Sequence, residues 1–124
     1  MANNHAQPGK VLDYVNTTGA AVASGAVVVA GQTLAVALVN IPAGGMGAAA
    51  VDGVFRVPKV SGAVIAQGES LSWDVSAAAF DDNAATTATG DVTGPCAVAF
   101  EAAGSGVTSL LVKFTGVPGT VKAA

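Results

Sequence analysis

The chain has 124 residues, enough for one domain built around one core. Charged residues are only 10% of it, hydrophobic residues are 52% and the net charge is −3. The folded surface must therefore carry Ala, Val, Gly, Ser and Thr in patches that a lone monomer would keep covered, and permanent partners are expected. The five basic residues, Lys10, Arg56, Lys59, Lys113 and Lys122, are dispersed, which excludes a basic stripe along a nucleic-acid backbone.

Taken in chain order, Met1 to Lys10 is polar and lacks the basic-then-apolar order of a secretory signal, so the chain is expected to stay in the cytoplasm where it is made. Tyr14 to Val51 contains no charge and is long enough for a membrane span to be considered. Ser24-Gly25, Gly31-Gln32-Thr33 and Asn40-Ile41-Pro42 interrupt it, and its valines favour strands, so the run reads as hairpins. Val11–Asn16, Ala26–Ala30 and Leu34–Val39 are the first strand candidates.

Alternation with period two then puts Val51, Gly53, Phe55 and Val57 on one strand face. Leu71, Trp73 and Val75 alternate with Ser72, Asp74 and Ser76, giving a strand with a dry face and a wet one and Trp73 in the core. Ala77 to Ala79 could make one helical turn before Phe80, Asp81, Asp82 and Asn83 turn the chain. Asp81 to Gly90 lacks alternation and reads as an exposed loop. Ala97–Ala102 is a further strand. In the last one, Thr108, Leu110, Val112 and Phe114 alternate with Val107, Ser109, Leu111 and Lys113, so both faces are apolar and the second is expected to meet a partner. Many short strands imply an all-β fold, a small sandwich or jelly-roll-like form or a partly open barrel with extended terminal arms. The boundaries expected are an arm over 1–10, one β domain over 11–116 and a tail over 117–124.

Gly45-Met46-Gly47-Ala48-Ala49-Ala50 matches the loose dinucleotide fingerprint, but that motif needs a long helix to follow and Val51 to Val57 alternates as a strand. A glycine-rich turn is the better reading. No Walker-type loop is present. A Ser-His-Asp arrangement would have to hold the single histidine, His5, rigidly, and it lies in the polar N-terminal segment. Asp81, Asp82 and Asp91 lack the spacing of an EF-hand and read as turn formers. Trp73 beside Asp74 could be a ligand platform, although alternation makes it a core indole next to an exposed acid. Cys96, alone and followed by Ala97, Val98 and Ala99, reads as a small buried hydrophobe. No catalytic, cofactor-binding or metal-binding residue is assigned, and no cofactor is expected.

Pro8-Gly9, Ser24-Gly25 with Val27-Val28, Val36-Ala37, Ile41 to Gly47, Gly53-Val54-Phe55, Val57-Pro58-Lys59, Gly68 and Trp73-Asp74 occur in an order that is similar to a phage family. That family, long a domain of unknown function, is now regarded as capsid cement or decoration proteins. The resemblance spans Gln7 to about Phe114. It implies a small β protein that sits as oligomers on the outside of a tailed-phage shell and bridges major capsid subunits, without cofactor or catalytic residue. Members have also been labelled RecA-like recombinases, which would require a nucleotide-binding loop that this sequence does not possess. The family often has an acidic residue where this chain has Gly45-Met46, and this chain continues past Phe114 with Val117 to Ala124.

The reading is therefore a non-enzymatic cement protein on the outer surface of the virion. Its partners are the major capsid protein and itself, as a homotrimer in preference to a homodimer, with no nucleic acid and no membrane. A receptor-binding or carbohydrate-binding β module, or a head-fibre base, is the alternative. It would need exposed aromatics and loop acids, and only 5% of the residues are aromatic.

Overall fold

The computed structural model describes residues 10–123, and in these the alternating pattern produces eleven strands and no helix. They are β1 (Val11–Val15), β2 (Val27–Ala30), β3 (Thr33–Ala37), β4 (Met46–Ala50), β5 (Asp52–Pro58), β6 (Ser72–Asp74), β7 (Ala79–Asp81), β8 (Val92–Thr93), β9 (Ala97–Ala99), β10 (Ser109–Thr115) and β11 (Thr120–Val121). Three antiparallel sheets result, ordered β1-β4-β3-β2, β5-β10-β9 and β11-β8-β6-β7. No helix of the described residues is long and apolar enough to cross a membrane. The uncharged run from Tyr14 to Val51 instead forms β1 to β4, joined by turns that include a two-residue hairpin in which Gly31 takes φ +66°.

The second and third sheets are stitched together at their corners. Lys59, just past β5, bridges to Phe80 of β7, and Val60 N–H donates to the Phe80 carbonyl at 2.9 Å. Ser70 bridges to Val98 of β9, and the same segment continues into β6. Pairing therefore passes from β5 through β10, β9, β6 and β7 back to the end of β5, as in small barrels whose strands switch sheets at corners. The partly open barrel expected from sequence corresponds to this ring. The first sheet curls over it.

Inside the ring sits the larger core. Val57, Leu110, Val112 and Phe114 come from the second sheet, Trp73, Phe80 and Val92 from the third, and Leu34 and Val36 from the first. An edge-to-face chain of aromatics runs through it. Trp73 meets Phe80 at 4.9 Å between centroids, Phe80 meets Phe114 at 5.9 Å, and Phe114 meets Phe55 at 5.9 Å. A smaller core lies on the other side of the first sheet, with Tyr14, Val28, Ala35, Ala37, Ile41 and Ala49. The middle of β3 is consequently dry on both faces, and Leu34, Ala35, Val36 and Ala37 are all buried.

Several expectations need correction. Leu71 and Trp73 are buried as the alternation requires, but Val75 is 41% exposed and Ser72 is buried. The reason for the first is that β6 ends at Asp74. Its carboxylate accepts hydrogen bonds from Ser76 Oγ at 2.8 Å and from the N–H groups of Ser76 and Ala77, which bends Val75 to Ala78 into a hairpin turn. Those bonds, led by Ser76 Oγ and the Ala77 amide, also hold the Asp74 carboxyl below its ordinary pKa. For the second, β6 is an inner strand between β7 and β8, where a side chain as small as serine is covered. Phe80, placed in a turn by sequence, lies opposite Trp73 in β7 and is fully buried, because the turn closes at Ala78. Ala77 to Ala79 make no helical turn.

The segment expected as a tail over 117–124 contributes β11. Thr120 and Val121 pair with Thr93 and Val92, Lys122 N–H donates to the Asp91 carbonyl at 2.8 Å, and Gly119 N–H donates to the Gln32 carbonyl at 2.8 Å. The arm over 1–10 falls, except for Lys10, outside the described residues.

Two stability tests follow from this packing. Trp73→Ala or Phe80→Ala removes a link of the aromatic chain and is expected to cost about 3 to 5 kcal/mol in urea unfolding. Truncation after Gly116 is expected to lower the unfolding midpoint as well. A midpoint equal to that of the full chain would mean that β11 contributes nothing to the third sheet.

Candidate interaction surface

β10 runs between β5 and β9, and its two faces meet different surroundings. Leu110, Val112 and Phe114 point into the core, while Leu111 and Lys113 lie on the outer face. Register places Val54 and Val98 on either side of Lys113, and Arg56 beside Leu111. Phe100 continues the outer row of β9, its N–H donating to the Leu111 carbonyl at 2.9 Å, and it is 49% exposed. The second apolar face that alternation implied is therefore present, as Val54, Leu111, Val98 and Phe100.

Charge around this face is arranged to cancel. Arg56 lies 3.5 Å from Glu101, and Lys113 lies 3.5 Å from Asp52. Exposed pairs of this kind stabilise a fold by about 0 to 1 kcal/mol, so their main effect is to leave an apolar strip with no net field across it. Glu101 also accepts the Leu111 N–H at 3.0 Å, which holds the rim to the strand.

The residues considered for chemistry are dispersed or structural. Met46 to Ala50 form β4, and a Cβ on Gly47 would sit 2.6 Å from Ile41 Cγ1, so glycine is needed there for close packing and not for a phosphate. Gly44 takes φ +76° in the turn closed by the Gly45 N–H and Pro42 carbonyl, as the glycine-rich reading required. Asp82 caps the Ala84 N–H at 2.8 Å, and Asp81 accepts the Asp82 N–H at 2.9 Å. Asp91 is buried and accepts the N–H groups of Val75 at 3.2 Å and Ala88 at 2.9 Å, so it organises the 82–91 loop from below. Among the described residues no three of His, Cys, Asp and Glu gather as metal ligands. His5 lies outside the described residues. Cys96 is buried, and that burial pushes its thiol pKa upward.

Two buried polar side chains carry no signal in the sequence that marks them as special. Lys59 is 3% exposed, and its Nζ lies within 2.8 to 3.4 Å of the carbonyls of Val60, Ser61, Gly104 and Val107. An ammonium has three protons, so it clamps two turns of the chain through carbonyl dipoles alone. Asn16 is fully buried, donating to the carbonyls of Ala20, Ile41 and Pro42 and accepting from Thr18. Both are hubs whose partners come together only in the fold.

The model of the phage cement protein family matches residues 6–114, which takes in every strand but β11 and part of β10. The chain belongs to that family. No curated protein sequence matches it. Membership makes this cement protein a structural component associated with the phage capsid, as the resemblance implied. The helix-free fold and the neutral apolar strip suit contact with other proteins.

The clamp and the buried thiol give direct tests. Lys59→Met leaves several carbonyls without a donor, and a loss of about 2 to 4 kcal/mol is expected in denaturant unfolding, with faster hydrogen exchange at Val107. Cys96 should resist a thiol reagent until the protein unfolds. Its raised pKa makes the folded state keep a proton that the unfolded chain releases. Stability should therefore fall as pH rises past about 8.5, the ordinary thiol value, and this decline should be absent in Cys96→Ala.

Proposed function

We propose that the chain binds the outer surface of the assembled capsid as a homo-oligomer, a trimer in preference to a dimer, and stabilises the shell by bridging neighbouring major capsid subunits. It acts without catalysis, nucleic acid or membrane, after synthesis in the host cytoplasm. The observation that supports this most is the outer face of β5-β10-β9. Its apolar strip, with an aromatic and an arginine and with its charges paired, has the composition of an interface centre and not of a solvated surface.

A bridge needs two subunits held at the spacing of the finished shell. Several weak contacts from one oligomer then reinforce one another, and avidity can exceed single-site affinity by roughly a hundredfold or more. Free subunits forfeit that gain. Because the strip is apolar, the attachment should be weakened only slightly by salt.

The experiment mixes the purified protein with undecorated shells and with free capsid subunits, at low and high salt, and measures co-sedimentation and the rupture temperature of the shells. Preferential binding to shells and a higher rupture temperature are expected. Leu111→Glu and Phe100→Ser should leave the unfolding midpoint almost unchanged and reduce co-sedimentation at least tenfold. Equal binding to free subunits, or an unchanged rupture temperature, would rule the proposal out.

A further inference from the structure

β9 parts from β10 early, and it does so on the rim of the outer face. Its residues pair with β10 as far as Ala99, and Phe100 adds one more bond, from its N–H to the Leu111 carbonyl at 2.9 Å. A regular antiparallel pair would return that bond, from the Leu111 N–H to the Phe100 carbonyl. Here the chain turns away instead, and Ala103 exchanges both backbone hydrogen bonds with Ile65. Glu101 Oε1 takes the place of the missing carbonyl and accepts the Leu111 N–H at 3.0 Å. The Phe100 carbonyl, released from the ladder, accepts from Gln67 Nε2 at 3.4 Å. The same Glu101 oxygen lies 3.5 Å from Arg56 Nη1 on β5, so one carboxylate reaches across β10 and braces the ends of all three strands.

The residue next to this brace is the part of the face best suited to contact. Among the described residues Phe100 is the one aromatic side chain left in the exposed class. Aromatic side chains supply a large share of the affinity of protein interfaces when they enter a partner's pocket at a fixed place. A ring whose backbone wandered would have to be ordered on contact, and that ordering weakens attachment. We infer that Glu101 is the positioning residue of this surface, fixing the backbone of Phe100 against β10 so that the ring is held in its attachment arrangement before the shell is met. This role rests on the reading of the β5-β10-β9 face proposed above.

Glutamate contributes two things here, its reach and its acceptor oxygen. Aspartate is one methylene shorter and, from the same backbone position, falls short of holding the Leu111 N–H and Arg56 together. Glutamine has the length of glutamate and keeps an oxygen that accepts the Leu111 N–H. The charge matters less, since the pair with Arg56 is half-exposed at 3.5 Å and water screens it. The hydrogen bond is what keeps β9 and β10 together at the last residue they share.

The test uses the full-length chain and undecorated shells. Glu101→Ala and Glu101→Asp are expected to weaken co-sedimentation about tenfold with an almost unchanged unfolding midpoint, while Glu101→Gln stays within about twofold of the unaltered chain. Amide exchange at Leu111 should quicken in the first two variants and not in the third. In a Phe100→Ser background Glu101→Ala should add no further loss, because the ring it positions is gone. Full attachment in Glu101→Ala, or an equal further loss in the Phe100→Ser background, would overturn the positioning role and leave the attachment surface standing. A loss in Glu101→Gln as large as in Glu101→Ala would overturn it too, by making charge the property that counts. So would a large fall in the midpoint of Glu101→Ala, since the residue would then hold the fold and not the ring. If Phe100→Ser by itself binds shells like the unaltered chain, the surface reading fails and the positioning role fails with it.

Discussion

The fold depends on one constraint, the burial of β3 from both sides. Leu34 and Val36 face the larger core while Ala35 and Ala37 face the smaller one, so this strand has water on neither face. A one-residue slip would exchange the two sets and put leucine and valine where only alanines fit. The smaller core fills the remaining space with Tyr14 and Ile41, and Ile41 in turn requires a glycine at position 47. The ring of strands beneath supplies the opposite wall. In a chain with so few charges, this two-sided packing fixes the register that ion pairs or long polar side chains could not.

The same constraint accounts for what stays exposed. A sheet that spends its middle on two cores has its outer strands left over, and β1 and β2 lie at its two edges with no further strand beside them among the described residues. The second sheet spends only its inner face, so Val54, Val98, Leu111 and Phe100 remain on the outside. The surface that the composition said must exist is thus gathered in particular places, one across strand faces and one along strand edges. The two differ in kind, side chains in the first case and backbone groups in the second.

Much of this was legible in the sequence because period-two alternation is a local signal. It put Trp73 in the core, Val57 on a shared strand face, and Leu110, Val112 and Phe114 on the opposite side of their strand from Leu111. It failed where a strand ended sooner than its pattern. Val75 continues the alternation of Leu71 and Trp73, but the Asp74 carboxylate turns the chain first, and an Asx-type turn reads locally as one more polar residue. Phe80 was misplaced for the converse reason, since the turn that the following acids signal begins only at Asp82 and Phe80 still belongs to the short strand before it. Lys59 and Asn16 could not be found at all. Each is satisfied by carbonyls up to 48 or 26 positions away, and no spacing encodes such a meeting.

β11 is a small strand that fastens two sheets. Its residues touch β8 and, through Gly119, the β2–β3 turn, and Gly119 is packed so closely that a Cβ would lie 2.5 Å from the Thr93 carbonyl oxygen. Without this strand Val92 and Thr93 would present an unpaired outer edge, and the first and third sheets would lose the backbone hydrogen bond between Gly119 and Gln32 that ties one to the other.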